Sequence, residues 1–189
     1  MTRYTKRMLS NTRGETANFG PLENPLDFIA EDHMREREVC ALIDRLVAAL
    51  PVERAERQMM LVFLKKQLPQ HLDDEEIDLF PLMLERCEPE EEINNVIDKL
   101  QSDHGHALSD ASDIAALIEA NLTDSKVFSD SACVQLTKFA NHARRHLILE
   151  NAIILPIART RLTKHDLEIM RSHMLERRGL DRLQENETC

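Results

Sequence analysis

Two short segments of the chain carry a histidine and a glutamate at the same spacing. Glu75 follows His71 by four residues, and His146 and Glu150 repeat the pair 75 positions later. Residues four apart lie on one face of an α-helix, so each segment points an imidazole and a carboxylate in the same direction. Imidazoles and carboxylates together bind transition metals. The repeat therefore predicts a metal site built from two related halves.

The repeat continues beyond the glutamates. A proline follows each glutamate by six residues: Pro81 follows Glu75, and Pro156 follows Glu150. Proline inside a helix removes a backbone hydrogen bond and clashes with the preceding turn. We therefore expect the helices to be disturbed at both prolines. A kink or a break is also expected at Pro69, just before the first histidine of the repeat.

An Asp–His pair precedes each of the two segments. His33 and His104 follow Asp32 and Asp103 and lie 71 positions apart. The aspartates fall on other helical faces, where solvated charge is the ordinary role and contact with a neighbouring ligand is the alternative. The predicted metal ligands are then four histidines and two glutamates: His33, His71, Glu75, His104, His146 and Glu150.

This ligand set favours two metal ions over one. Divided by the repeat, it supplies two histidines to each ion and leaves Glu75 and Glu150 free to bridge. With an oxo or hydroxo bridge added, coordination positions would remain open, which suits non-haem iron. Zinc and manganese stay open as alternatives because affinity alone does not select iron. Carboxylate-rich di-iron bundles of the ferritin type use Glu-x-x-His, which is the opposite order.

Four long helices are predicted to position these side chains. Glycine and aromatic residues are scarce, and good helix formers are abundant. Apolar residues at helical spacing predict helices over residues 25–50, 52–87, 89–121 and 131–161. Their short connections predict an all-α, up-down-up-down antiparallel four-helix bundle. A shorter C-terminal helix is expected from Lys164 to Arg178, capped by Thr163 and ended by Gly179.

The same pattern divides the chain into three parts. Residues 1–22 show no periodicity and are expected to form a flexible arm, residues 23–161 the bundle, and residues 162–189 the C-terminal helix and tail. The apolar stripe of the C-terminal helix suits docking on its own bundle. Docking on another subunit is the alternative, so a homodimer is a candidate assembly.

Composition excludes several classes of function. A formal charge of −10 argues against binding of nucleic acid and against docking on an anionic membrane. No apolar stretch is long enough to span a bilayer, and residues 1–21 lack the apolar region of a secretory signal. None of the four cysteines forms a Cys-x-x-Cys pair, so reduced thiols and a cytoplasmic location are expected.

The ligand pattern resembles that of the hemerythrin-like family, the HHE cation-binding domains. The resemblance covers roughly residues 24–160. It implies a four-helix bundle that holds a non-haem di-iron centre. The residues that carry it are His33, His71 with Glu75, His104, and His146 with Glu150.

The chain also departs from the oxygen-carrying hemerythrins. Those proteins have a fifth histidine on the third helix, where this chain has Leu108, and they close with a His and an Asp five apart rather than His146 and Glu150. The six-residue set is more similar to bacterial iron-centre repair proteins and to the iron-sensing hemerythrin domain of a eukaryotic ubiquitin-ligase subunit. The repair proteins carry a cysteine-bearing N-terminal domain, whereas residues 1–22 contain no cysteine.

Three functions fit such a centre. The favoured one is a protein that binds or senses a small diatomic molecule or an oxidant, such as oxygen, nitric oxide or peroxide. The second is an enzyme or iron donor in nitrosative or oxidative stress, acting in iron-centre repair or in reduction of nitric oxide or peroxide. The same ligands serve both, so the sequence does not separate binding from turnover. The third is an iron-storage or iron-responsive interaction module, in which metal occupancy controls folding.

Overall fold

Helices form almost all of the computed structural model, which describes residues 23–88, 92–122 and 127–180. Helix α1 spans Pro25–Val47, α3 spans Ile93–Ala120 and α5 spans Lys164–Arg177. Helices α2 and α4 are each continuous through several segments. Helix α2 consists of Arg54–Val62, Phe63–Gln67, Leu68–Asp73, Asp74–Leu79 and Phe80–Arg86. Helix α4 consists of Asp130–Leu149, Glu150–Ile154 and Leu155–Arg161.

These helices confirm the predicted all-α fold with a short additional helix. The predicted flexible arm and the predicted start of the third helix at Pro89 lie outside the described residues. Within the described part, α3 begins at Ile93, after Glu92 with a positive φ of 50°. No helix there has the length and apolar character that a membrane span requires.

Side-chain contacts show that neighbouring helices run antiparallel. Arg45, late in α1, pairs with Glu56, early in α2, at 2.8 Å. His33, earlier in α1, approaches Glu75, later in α2, at 3.6 Å. The same reversed order joins the other pairs: Lys65 with Glu119 and Glu76 with Gln101 between α2 and α3, and Cys40 with Ala140 and His33 with Glu150 between α1 and α4.

The disturbance predicted at the prolines takes the form of π-helical turns. In the part of the chain that the structure describes, three segments are π-helical: Phe63–Gln67, Asp74–Leu79 and Glu150–Ile154. Each ends two residues before a proline, and the helix continues past it. A π-turn inserts one residue into the hydrogen-bond ladder, which relieves the clash between the proline ring and the preceding turn. The helices are therefore not broken at Pro69, Pro81 or Pro156.

Two of these turns contain the predicted ligand glutamates: Glu75 is the second residue of Asp74–Leu79, and Glu150 is the first residue of Glu150–Ile154. The carbonyl of Glu75 accepts the N–H of Phe80, and the carbonyl of Glu150 accepts the N–H of Leu155, each across five residues. The proline that follows each glutamate in the sequence repeat therefore marks a π-turn at the carboxylate. Such turns are frequent at functional sites because they redirect side chains.

A polar layer divides the apolar core into two clusters. On every bundle helix, the predicted ligand residues lie at the boundary between the stretches that form these clusters. The first cluster includes Val39, Leu64, Ile114 and Leu136. The second includes Ile29, Leu79, Ile97 and Ile154.

Helix α5 docks on the second cluster, as the first of the two alternatives predicted. Met170 and Met174 are fully buried in it. The helix starts at a capping box, in which the Thr163 hydroxyl accepts the Asp166 N–H and the Asp166 carboxylate accepts the Thr163 N–H. Gly179, with a φ of 66°, follows its end, so the predicted cap and stop are both confirmed.

Candidate metal centre

The six predicted ligand residues meet in the polar layer. None is more than 7% exposed. Among the described residues, two groups of four have ligand atoms within 4.8 Å of one another. The first group is His33, His71, Glu75 and Glu150, and the second is Glu75, His104, His146 and Glu150. The structure thus brings together all of the residues that the sequence singled out.

Glu75 and Glu150 belong to both groups. One oxygen of Glu75 lies 3.6 Å from Nε2 of His33, and the other lies 3.5 Å from Nε2 of His104. Glu150 lies in the same way, with one oxygen 3.3 Å from Nε2 of His33 and the other 2.7 Å from Nε2 of His146. Glu150 therefore presents one oxygen to each half, whereas Oε2 of Glu75 lies near both halves, since it is also 3.8 Å from Nε2 of His71. Both carboxylates thus lie between the two pairs of histidines.

Several donor atoms of the layer are buried without a hydrogen-bond partner in the described part of the chain. They include both ring nitrogens of His33 and His71 and both carboxylate oxygens of Glu75. A buried polar group left unsatisfied costs about 1–3 kcal/mol. Metal ions would use these lone pairs, so the donor set fits a metal centre.

His104 and His146 converge on one point. Their Nε2 atoms lie 2.8 Å apart. Two nitrogens that bind one ion at about 2.1 Å and at right angles lie about 3 Å apart. The pair is therefore spaced to share an ion.

Glu76 holds His104 in this orientation and was missed by the sequence analysis. Its Oε1 lies 2.7 Å from Nδ1 of His104, and its Oε2 accepts a hydrogen bond from Gln101 at 2.7 Å. A carboxylate behind a metal-binding histidine fixes the ring and strengthens it as a ligand. The only sequence signal was a second acid next to Glu75.

Asp32 lies near His71 of α2, and Asp103 lies near His146 of α4. An oxygen of Asp32 lies 3.9 Å from Nδ1 of His71, and an oxygen of Asp103 lies 3.8 Å from Nδ1 of His146. Each aspartate thus faces the ligand histidine of a neighbouring helix, in both halves of the repeat. Asp32 is only 2% exposed, so the expectation of a solvated charge is wrong for this residue.

Close charges shift the pKa values of the layer. Burial opposes protonation of His33, but the carboxylates of Glu75 and Glu150 outweigh it and raise its pKa to about 9. His146 is buried too, and Glu150 raises its pKa to about 9. Burial and the Glu150 charge raise the pKa of Glu75 to about 7. Burial, with His33 nearby, lowers the pKa of His71 well below its usual value.

A small pocket reaches the layer on the side of His104 and His146. Its volume is about 20 Å³, and a water molecule needs about 10–15 Å³. Apolar side chains form most of its wall. Phe80, which does not line the pocket, stacks on His104 with the ring centroids 5.7 Å apart. The polar residues that line the pocket are Glu36, His104, His142 and His146.

Glu36 is a second residue that the sequence analysis missed. It lies one turn after His33 on α1 and is 6% exposed. Burial and the charge of Glu150 raise the pKa of Glu36 to about 7. Its position three residues after a predicted ligand was the available signal.

Comparison with protein families identifies the fold. The family model of the hemerythrin HHE cation binding domain matches residues 24–158. The chain belongs to this family. The hemerythrin domain so defined contains all six predicted ligand residues and leaves α5 beyond its end. No curated protein matches the chain. The resemblance stated from the ligand pattern is thereby confirmed, and cation binding is the property that the family description carries.

Proposed function

We propose that the hemerythrin domain binds two iron ions. Each ion takes two histidines, and Glu75 and Glu150 bridge the ions together with an oxo or hydroxo group. The observation that carries this proposal is that both glutamates belong to both four-residue groups. The proposed ligands are His33, His71, Glu75, His104, His146 and Glu150.

The proposed role is to bind or sense a small diatomic molecule or an oxidant, such as oxygen, nitric oxide or peroxide. Iron with open coordination positions supplies ligand binding and electron transfer to such molecules. The pocket beside His104 and His146, about 20 Å³ in volume, suits a molecule of this size. The protein's own part is to hold the ions at fixed separation, to keep bulk water out and to admit only small ligands.

Metal analysis with optical spectroscopy tests this role. The purified protein is expected to carry about two iron ions per chain, because mixed imidazole and carboxylate ligands suit iron. It should show a ferric charge-transfer band that bleaches with dithionite. A colourless protein with less than one iron per chain would contradict the proposal.

A matched pair of variants separates the bridging role from general effects. Glu150→Gln removes one bridging oxygen and should lower the iron content and weaken the charge-transfer band. His106→Gln is the control, because His106 is exposed and its Nδ1 lies 2.9 Å from the Ser102 carbonyl of its own helix. That variant should keep the wild-type iron content. Equal iron content in the two variants would count against a bridge at Glu150.

A metal-responsive interaction module is the second candidate, and the contacts of Asp74 with α5 favour it. Nε of Arg177 and Nη2 of Arg178, at the end of α5, donate to the buried carboxylate of Asp74 at 2.9 and 2.5 Å. Asp74 directly precedes Glu75 in the same π-turn. Metal binding at Glu75 and docking of α5 therefore share one turn of backbone. Limited proteolysis at α5 with and without chelator tests this candidate, which requires faster cleavage after metal removal.

A further inference from the structure

The π-turn that carries Glu75 is more acidic than its counterpart in α4. It buries three carboxylates, those of Asp74, Glu75 and Asp78. In the π-turn of α4, Glu150 is the one acid, and the apolar residues Leu149 and Ile153 stand at the positions of the two aspartates in the sequence repeat. Burying charge without a partner is unfavourable. The turn of α2 therefore needs compensating cations that the turn of α4 does not need.

The C-terminal end of α5 supplies these cations. Nε of Arg177 and Nη2 of Arg178 both donate to the carboxylate of Asp74, at 2.9 and 2.5 Å. Arg177 also forms an ion pair with Asp78, and Nδ1 of His173 lies 2.6 Å from the same carboxylate. Helix α5 thus pairs with both aspartates of the turn, and the glutamate between them is left to face the polar layer.

A second series of contacts leads from α5 to His71. The guanidinium of Arg178 lies 4.7 Å from the centre of the Phe28 ring, and that of Arg35 lies 5.3 Å from it. A guanidinium at such a distance from an aromatic ring is attracted to it. Arg35 forms an ion pair with one oxygen of Asp32, and the other oxygen lies 3.9 Å from Nδ1 of His71. Phe28 therefore connects α5 to the pair of charges beside this proposed ligand.

The contacts that support the other half come from the bundle itself. Glu76 accepts a hydrogen bond from Gln101 and lies against His104, and both partners are on α3. Asp103 of α3 lies 3.8 Å from Nδ1 of His146 on α4. Helix α5 lies beyond the part of the chain that the family model matches. Its contacts are thus an addition to one half of the hemerythrin bundle.

We propose that α5 controls the metal affinity of the His33–His71 half, here called the α5-linked half, and that Arg178 is the residue through which it acts. The proposal rests on the proposed function, since it requires two ions. Arg178 is a positioning residue, because it acts through Asp74 and Phe28, which are not proposed ligands. By linkage, an ion in this half strengthens docking of α5 by the same factor as docking strengthens binding of the ion.

Undocking of α5 leaves the Asp74 carboxylate buried without its cations. A buried charge that loses its partner is strongly destabilising, so the turn must shift until the carboxylate reaches water. That shift moves Glu75, which is the next residue of the same turn. The α5-linked half also loses the packing that holds the charges beside His71. The other half keeps Glu150 and the support of Glu76, so its affinity changes less.

Arg178→Gln tests this control. Titration of the metal-free protein with cobalt, followed optically, measures the two affinities separately. The variant should weaken one of them by about tenfold or more, as loss of a group behind a metal ligand commonly does, and leave the other within about twofold. Arg178→Lys keeps the positive charge and should retain a higher affinity than Arg178→Gln. Arg159→Gln is the matched control, because Arg159 pairs with Asp27 at 2.7 Å on the exposed surface, and it should keep both wild-type affinities.

Two variants with one site each identify the half that is affected. His71→Ala damages the α5-linked half, and His104→Ala damages the other. Added to His104→Ala, Arg178→Gln should weaken the remaining ion by about tenfold or more. Added to His71→Ala, it should change the remaining affinity by no more than about twofold, since sites without shared partners act independently. The reverse pattern would overturn the proposal, and so would equal losses in both affinities of Arg178→Gln or no loss in either.

Hydrogen exchange of α5 tests the same linkage without a change at Arg178, so this test stands even if the Arg178 variants fail to fold. Cobalt should slow exchange of the α5 amides in the wild type and in His104→Ala, but not in His71→Ala. Equal exchange of α5 in the two cobalt-loaded variants would overturn the proposal. A wild-type protein that takes up fewer than two metal ions would instead overturn the proposed function, so the two failures are distinguishable.

Discussion

Glu76 is not a predicted metal ligand, but it contacts one of them, His104, and fixes its orientation. Its carboxylate lies 2.7 Å from Nδ1 of His104 and leaves Nε2 free to face the layer. Asp32 and Asp103 stand behind His71 and His146 at the longer distances of 3.9 and 3.8 Å. Glu76 is therefore the strongest of these supports, and its loss is expected to affect the His104 half of the centre first.

Glu76→Ala should weaken binding of one of the two ions by about tenfold or more, as loss of such an outer carboxylate commonly does. Stepwise titration of the metal-free protein with cobalt, followed optically, measures the two affinities separately. Asp73→Ala is the control, because Asp73 is an exposed acid on the same helix. Two unchanged affinities in Glu76→Ala would show that His104 does not need this support.

Metal affinity should rise with pH through the neutral range. Histidine binds metal only when its ring nitrogen is deprotonated. In the metal-free protein the pKa values of His33 and His146 are raised to about 9, so both rings hold protons at pH 7 that the ions must displace. Affinity should therefore climb as pH increases and level off above about 9. Titrations at several pH values check this, and an affinity that falls between pH 7 and 9 would contradict it.

Residue types and spacing were sufficient to find the six proposed ligands but not their supports. The ligands recur at constant offsets, and a repeated pattern of histidine and glutamate stands out in one sequence. Glu36 and Glu76 belong to no repeat and are two of 34 acidic residues in the chain. Their roles depend on their distances to side chains of neighbouring helices. The spacing of residues along one helix does not give those distances.

The π-turns connect the backbone geometry of the helices to the positions of the proposed ligands. In α2 and α4 the turns at Asp74–Leu79 and Glu150–Ile154 place the two shared glutamates. A proline two residues after each turn stabilises it against a regular α-helix, because a regular helix would restore the clash. The backbone geometry of the turn and the position of the carboxylate are thus coupled.

Pro156→Ala should loosen this coupling at Glu150. Without the ring, the helix can relax toward regular α geometry, which is intrinsically favourable for alanine. Helicity should be kept or rise slightly, while metal affinity falls by about tenfold because the carboxylate shifts. Circular dichroism and metal titration measure the two effects on the same sample.

Pro69→Ala is the control for that variant. The turn before Pro69, Phe63–Gln67, contains no proposed ligand. The same substitution there should leave metal affinity unchanged. If both variants lose affinity equally, the effect comes from general changes in the helices and not from the position of the glutamate.

The ends of the helices were predictable, but the form of the irregularities was not. Thr163, Asp166 and Gly179 cap and end α5 through local contacts that the sequence displays directly. A proline only indicates that one backbone hydrogen bond is missing. Whether the helix then breaks, kinks or inserts a residue depends on packing against its neighbours.

In the whole molecule, the polar layer holds the proposed metal ligands and is also the part of the core that stabilises the fold least. Apolar clusters lie on both sides of it, while the layer between them buries Glu36, Glu75 and Glu150 together with four histidines. Burying charged groups without full pairing is unfavourable. Bound cations would compensate the carboxylates, so folding and metal binding are expected to be linked.

Metal removal should therefore lower the stability of the entire bundle. A ligand present at 100 times its dissociation constant stabilises the folded state by about 2.7 kcal/mol. Thermal unfolding of the iron-loaded protein and of the chelated protein, followed by circular dichroism, measures the difference. Equal midpoints would contradict the linkage. Restoring the metal should restore the higher midpoint.

The sequence was sufficient to predict the class of fold, but not the division of its apolar core into two clusters. Periodic apolar residues and short connections predicted the bundle, and the position of α5 on it was one of two predicted alternatives. The separation into two clusters was not predicted, because it depends on which apolar residues of different helices pack together. Only the alignment of antiparallel helices places all six polar residues at one level.

The most direct test of a shared two-ion centre is X-ray absorption at the iron edge on the iron-loaded protein. We predict a shell of nitrogen and oxygen ligands and a second iron at about 3.5 Å, the usual separation in two-metal sites. Bridging by Glu75 and Glu150 requires that second iron. An iron site with no metal neighbour, or with sulfur among its ligands, would contradict the central claim.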